Sequence, residues 1–314
     1  YILQRPRAFY FLIIPYLLMT FWLFSAPNYF PVHKVFTLEE GLTVGEVAED
    51  LKELSIIRSP LLFKLSLRLF SPRGAVLAGD YFFIKHESVF AVAYRIAWGD
   101  FGVPVKRVTL PEGVTSIEIA KIIKQNIEEF DADGFIVEAE SFEGKLFPDT
   151  YFFPITVRPR QVLTSMLANF ERQISSLVTS VASSTRSRED IITMASIIEE
   201  EAKIDDVRKM ISGILWRRID EGMPLQVDAV FPYIIGKNTF ELSLEDLKHD
   251  SPYNTYLNKG LPPGPISNPG LSSIEAALDP TESDYWFYLA DYNGVTHYAV
   301  DFEEHKINKA RYLP

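Results

Sequence analysis

Three consecutive glutamates, Glu199, Glu200 and Glu201, close an apolar run in the stretch TMASIIEEEAKIDD at 193–206. A carboxyl at the edge of an apolar surface can act as a general acid near neutral pH, because loss of water raises its pKa. On a helical wheel of about 100° per residue with Ile198 at the origin, Ile191, Ala195 and Ala202 mark the buried stripe. Glu200 falls at about 200° and is expected to face solvent. Glu199 and Glu201, near about 100° and about −60°, flank the stripe on opposite sides. Periodicity leaves the choice between those two open.

Two further stretches carry polar and aromatic side chains suited to a sugar. LQVD (225–228) brings Gln226 and Asp228 after a Gly222-Met223-Pro224 turn. The loop SPYNTYLNKGLPPGPISNPG (251–270) offers Tyr253, Asn254, Tyr256, Asn258 and Asn268. Aromatic rings stack on the apolar faces of sugars, and amides bond to hydroxyl and acetamido groups. The Pro/Gly part of this loop reads equally as a rigid turn. Ser196 lies inside the glutamate helix and is expected to be structural.

Other chemistries find no support. The chain has no cysteine, which excludes thiol nucleophiles, disulfides and Cys-ligated metals. His33, His86, His249, His297 and His305 show neither HExxH nor tight ligand spacing, so no metal is expected. No Gly-rich phosphate loop and no G-x-S-x-G occurs, and no cofactor is expected. A net charge of −11 argues against binding nucleic acid.

The elements that must position these groups can be read in outline. The 314 residues, 47% hydrophobic, suffice for two domains with real cores. Arg5 and Arg7 precede Ala8–Ala26, an uncharged run of 19 residues and about the length of a spanning helix at ~1.5 Å per residue. Pro15 inside it is tolerable in such a helix. The arginines place residues 1–7 in the cytoplasm and the remainder outside it. The run is too long, and too poor in an A-x-A site, for a cleaved signal peptide.

An internal repeat follows: VFTLEEGLTVGEVAEDLK at 35–52 recurs as RVTLPEGVTSIEIAKIIK at 107–124. Each copy reads as strand, Gly turn and helix, with Thr43-x-x-Glu46 and Thr115-x-x-Glu118 as capping boxes. Further helices are expected over Leu61–Phe70, Gln161–Ser176, Glu189–Ala202, Lys209–Glu221 and His305–Tyr312. A strand is expected in AGDYFFI (78–84), an aromatic loop over 142–154 and a Ser/Thr-rich surface connection over 175–188.

The segments AGDYFF, TLPEGVT, EGKLFPDTY, MASIIEEEA, GMPLQVDAV, YNTY and GLPPGPISNPG, in this order, resemble the MltG (YceG-like) family of endolytic murein transglycosylases. The resemblance covers most of residues 35–300. It implies an α+β protein: a membrane helix at 8–26, a LysM-like α/β module at 35–104, a second strand–helix unit with its connection at 105–175, and a mixed α+β catalytic domain at 176–314. It also implies that the second carboxylate of the ExE pair, Glu201, is catalytic and that Glu199 supports it. Gln226, Asp228, Tyr253, Asn254, Tyr256, Asn268 and Glu143 fall on family segments and are expected to bind substrate.

The implied activity is cleavage of the MurNAc-β-1,4-GlcNAc bond of peptidoglycan to 1,6-anhydroMurNAc ends, terminating nascent strands beside membrane-bound synthases. The implied location is the bacterial cytoplasmic membrane, single-pass, with the catalytic domain outside the cytoplasm. A muramidase using Asp228 or Glu199 as base, and a non-catalytic peptidoglycan-binding scaffold, are the alternatives. The chain departs from the family in Ala229 where a proline is usual, in Asp80 where the AGTY turn has threonine, and in a spacing one residue short between His297 and His305.

Overall fold

The computed structural model describes residues 6–313, without the side chains of residues 6–13, 178, 179, 183 and 240. Part of the stub expected at 1–7 therefore lies outside the described residues. Helix α1 (Pro6–Phe24), with Pro15 inside it, covers most of the expected anchor. Among the described residues no helix is long and apolar enough to cross a membrane.

The chain divides into two compact units, residues 1–105 with 154–156, and residues 106–153 with 157–314. In the first, β1 (Val35–Leu38), α2 (Val44–Glu53), α3 (Pro60–Phe70), β2 (Gly79–Phe82) and α4 (Val89–Trp98) follow one another. β1 and β2 pair antiparallel, with Val35 opposite Phe82 and Leu38 opposite Gly79. Leu51, Phe63, Leu67, Tyr81, Phe83 and Ile96 fill the core beneath them.

The second unit opens with the repeat: β3 (Val105–Thr109), α5 (Ser116–Asn126), α6 (Ala132–Ala139) and β4 (Thr150–Pro154), with β3 paired to β4. Both capping boxes form. Thr43 N donates to Glu46 at 2.7 Å and Thr115 N to Glu118 at 2.8 Å, while each threonine hydroxyl accepts from the glutamate N–H. Gly41 and Gly113 make the preceding turns at φ of 87° and 82°, left-handed values that a side chain resists. β4 takes up the end of the stretch expected to be an aromatic loop, because Tyr151 and Phe153 alternate inward to the same core as Val108.

The rest is helical up to a hairpin: α7 (Pro159–Ser175), α8 (Val178–Ser183), α9 (Arg188–Glu201), α10 (Asp205–Asp220), α11 (Val230–Ile235) and α12 (Leu271–Leu278). Then come β5 (Phe287–Ala290), β6 (Thr296–Ala299) and α13 (Phe302–Tyr312). The short α8 occupies part of the expected Ser/Thr-rich connection. Helix α9 is not amphipathic as the wheel implied: every residue from Ile191 to Ile198 is buried, with α10 and α12 packed against it. Thr193 and Ser196 are thus buried polar groups. Ser196 Oγ donates to Thr193 O at 2.8 Å and accepts Ile266 N–H at 3.0 Å, which pins the SNPG loop to the helix.

Candidate active site

Helix α9 ends at Glu201, so the three glutamates leave its last turn in three directions. Glu199 is 6% exposed. One carboxylate oxygen accepts Arg208 Nη2 at 2.7 Å and the other accepts Gly270 N–H at 2.9 Å. Both oxygens are thereby committed to packing α9 against α10 and the start of α12.

Glu200 leaves the helix on the side the wheel assigns to solvent. It is exposed, as the wheel requires, and it also lines a cleft of about 940 Å³ with Glu143, Ser116 and Tyr233. The repeat unit roofs this end of the helix so closely that a methyl on Gly113 would come within 2.7 Å of the Glu200 carboxylate. Crowding by the cleft walls raises the Glu200 carboxyl to about 7.

Glu201 opens into a different cleft, of about 400 Å³, shared with Gln226, Asp228, Tyr256, Tyr288 and Arg218. Tyr288, on β5, donates its hydroxyl to Glu201 Oε2 at 3.0 Å. Burial raises the Glu201 carboxyl to about 7; the Tyr288 hydroxyl works against that shift and the Asp228 charge adds to it. Such a carboxyl holds its proton near neutrality and can also release it, as a group used first as acid and then as base must.

The LQVD segment reaches this cleft through Thr255. Gln226 N–H donates to Thr255 O at 3.1 Å and Val227 N–H to Thr255 Oγ1 at 3.1 Å. This clasp holds Gln226 at φ 51°, a left-handed value uncommon outside glycine, and leaves exposed Asp228 on the cleft wall. Tyr256 then donates to Asp228 Oδ1 at 2.5 Å, and burial together with that carboxylate pushes the phenol well above its usual range.

Not every residue expected to bind substrate lines this cleft. Asn254 is 0% exposed: its Nδ2 donates to Leu247 O and His249 O, and its Oδ1 accepts Tyr256 N–H, so it staples its own loop. Asn268, also 0% exposed, receives Leu146 N–H and donates to Val114 O and Glu143, clasping the repeat unit to the SNPG loop. Glu143 accepts Ser116 N–H and Oγ–H at the start of α5 and lines the Glu200 cleft. Tyr253 packs against Tyr233 with the rings tilted, their centres 5.2 Å apart. In Asn254 and Asn268 a short polar side chain in an irregular loop is taken up by backbone groups that a buried loop must satisfy.

Sequence reasoning missed Tyr288, Arg218 and Thr255. Tyr288 and Arg218 lie in an ordinary strand and an ordinary amphipathic helix, where residue type alone gives no sign of the cleft. Thr255 sits between two residues that were singled out and had the hydroxyl to act as a clasp. Replacing Tyr288 by Phe removes a hydrogen bond that favours ionised Glu201. The Glu201 pKa should therefore rise, moving the alkaline limb of the kcat/KM profile up by about one pH unit. A pH-rate series on Tyr288→Phe beside the parent checks this; an unmoved limb would detach Tyr288 from the acid.

The YceG-like family model matches residues 36–311. A protein of Bacillus subtilis named endolytic murein transglycosylase is 32% identical over 88% of this chain and 84% of its own length. One of the same name from Streptococcus pneumoniae is 28% identical over 88% of this chain and 58% of its own length. The crystal structure of a yceG-like protein of Listeria monocytogenes aligns with a TM-score of 0.59 at 28% identity, over 87% of this chain and 98% of that one. With residues 36–311 matched by the family model, the chain belongs to the YceG-like family.

Proposed function

We propose that this protein is an endolytic lytic transglycosylase that cuts the MurNAc-β-1,4-GlcNAc bond of peptidoglycan and leaves 1,6-anhydroMurNAc ends. The observation that carries the reading is Glu201, a carboxyl raised to about 7 on the wall of a cleft in a chain whose relatives bear that enzyme's name. Protonated Glu201 gives its proton to the glycosidic oxygen as the C1–O bond breaks. Positive charge develops at C1 of the muramyl ring, where the substrate's own acetamido oxygen can stabilise it. Carboxylate Glu201 then takes the proton of the C6 hydroxyl, whose oxygen closes on C1. One carboxyl serves both steps and no water is consumed, unlike hydrolytic glycosidases with their two carboxylates.

Asp228 in the same cleft favours one competing reading, a hydrolase with Asp228 activating water. Its Oδ1 is held by the Tyr256 hydroxyl, a place better suited to orienting than to deprotonating water. Mass spectrometry of digested strands separates the two. Anhydro ends, lighter by one water, are expected; reducing ends would establish the hydrolase.

The strand–helix–helix–strand order of β1, α2, α3 and β2 supports reading the first unit as a LysM-like glycan-binding module. Single-pass anchoring in the cytoplasmic membrane through the segment of α1, with the cleft outside the cytoplasm beside membrane-bound synthases, belongs to the same proposal. The uncharged run Ala8–Ala26 after Arg5 and Arg7 supports it.

A further inference from the structure

The Glu201 cleft holds more positive charge than the proton transfers use. Arg218 is 5% exposed, and its Nε and Nη1 donate to Trp286 O at 2.8 Å and Leu225 O at 2.6 Å. Those two bonds come from Nε and Nη1, and the guanidinium borders the cleft. His305 and Lys309, one turn apart on α13, line the same cleft. The buried Nδ1 of His305 has no hydrogen-bond partner. The His305 ring stacks on Phe287 at 5.2 Å, and the Arg218 guanidinium lies over that same ring at 5.1 Å. Neither Arg218 nor Lys309 forms an ion pair among the described residues. The nearby carboxylates already accept hydroxyls, Glu201 from Tyr288 and Asp228 from Tyr256. In a chain of net charge −11, two cations at one cleft with no carboxylate in direct ion-pair contact stand out.

We propose that Arg218 and Lys309, with His305 between them, bind a carboxylate carried by the muramyl residue and so choose which glycosidic bond is cut. The proposal rests on the Glu201 reading. Peptidoglycan strands alternate two amino sugars joined by similar β-1,4 bonds, and only the muramyl sugar bears a lactyl arm, on O3. That arm ends in a carboxylate when bare, or in a stem peptide whose carboxylates lie further out. A ring that presents C1 to Glu201 directs O3 elsewhere within the same cleft, where a fixed guanidinium edge and a lysine form charge-assisted hydrogen bonds. The other sugar would offer this guanidinium edge no carboxylate, and a polar group desolvated by substrate without its partner is a basis for rejection.

The test uses the full chain and three glycan preparations: strands with stems intact, strands stripped of stems to give free lactyl carboxylates, and stripped strands whose carboxylates are converted to methylamides. The parent should cleave the better carboxylate-bearing preparation with kcat/KM at least about tenfold above the methylamide. Whether stripped or stem-bearing strands are the better substrate identifies the lactyl or the stem carboxylate as the ligand. Lys309→Gln, an exposed change that spares the fold, and His305→Gln should each reduce that preference. Binding of the same strands to Glu201→Gln, which needs no turnover, should show the same selectivity. Equal cleavage of methylamide and carboxylate strands by the parent overturns the proposal and leaves the Glu201 reading intact if the products are anhydro. Parent-level cleavage by Glu201→Gln overturns the Glu201 reading, and the proposal with it.

Discussion

Glu201→Gln should lower kcat/KM on glycan strands by roughly 10³-fold or more, because one carboxyl serves as both acid and base. The same substitution should make the protein more stable, and by an amount that depends on pH. The Glu201 carboxyl goes from an ordinary 4.5 to about 7 in the folded chain, chiefly through burial. Between those values the folded state keeps a proton that the unfolded state has lost. Rising pH therefore favours unfolding across the window, and the penalty is complete above about 7. Glutamine is neutral throughout and can still accept the Tyr288 hydroxyl. Urea unfolding should find parent and variant alike near pH 4, and the variant more stable by about 2–3 kcal/mol near pH 8. Glu200, also raised to about 7, is present in both chains and cancels from the difference. Equal stability at pH 8 would mean that Glu201 is not held in the environment that makes it an acid.

The sequence made the repeat legible because its information is local. A Thr-x-x-Glu box satisfies its own helix terminus, and both copies form as the spacing requires. The Glu201 cleft was legible only in part, because it is assembled from α9, α10, the LQVD turn, the YNTY loop, the hairpin and α13. A wheel ranks residues about one helix axis and assumes water on the far side. At Glu200 that side holds water but also the turn at Gly113, a neighbour that no single-helix projection contains. A composition argument likewise sees amides in a loop and infers sugar ligands. In Asn254 the amide serves nearby backbone, and in Asn268 it serves Val114 O and Leu146 N–H of the repeat unit, so the three-dimensional path of the loop decides which use prevails.

Glu199 and Arg208 carry the other large expected effect. They form an ion pair at 2.7 Å with side chains 6% and 7% exposed. Arg208 Nε also donates to Ala202 O at 2.9 Å, one residue beyond Glu201, and its Nη1 reaches Ser272. Glu199 holds Gly270 N–H, where a methyl group would collide with the Glu112 carboxylate. The pair thus fixes the end of α9 against the start of α12, and with it the exit of the Glu201 side chain. Arg208→Met leaves the buried Glu199 charge unpaired and should cost about 3–5 kcal/mol, whereas Glu199→Ala leaves Arg208 the exposed Asp205 and Glu112 carboxylates at 3.4 and 3.9 Å and should cost less. The double change Glu199→Leu/Arg208→Met should cost less than the two single changes together, since neither charge then remains. Activity measured per folded molecule discriminates further. Both Glu199 oxygens are committed, so Glu199→Gln should weaken the fold while retaining the anhydro product and the pH profile of the parent. A Glu199→Gln enzyme that folds as well as the parent yet is inactive would instead make Glu199 a participant in the chemistry, as the hydrolase reading with a Glu199 base requires.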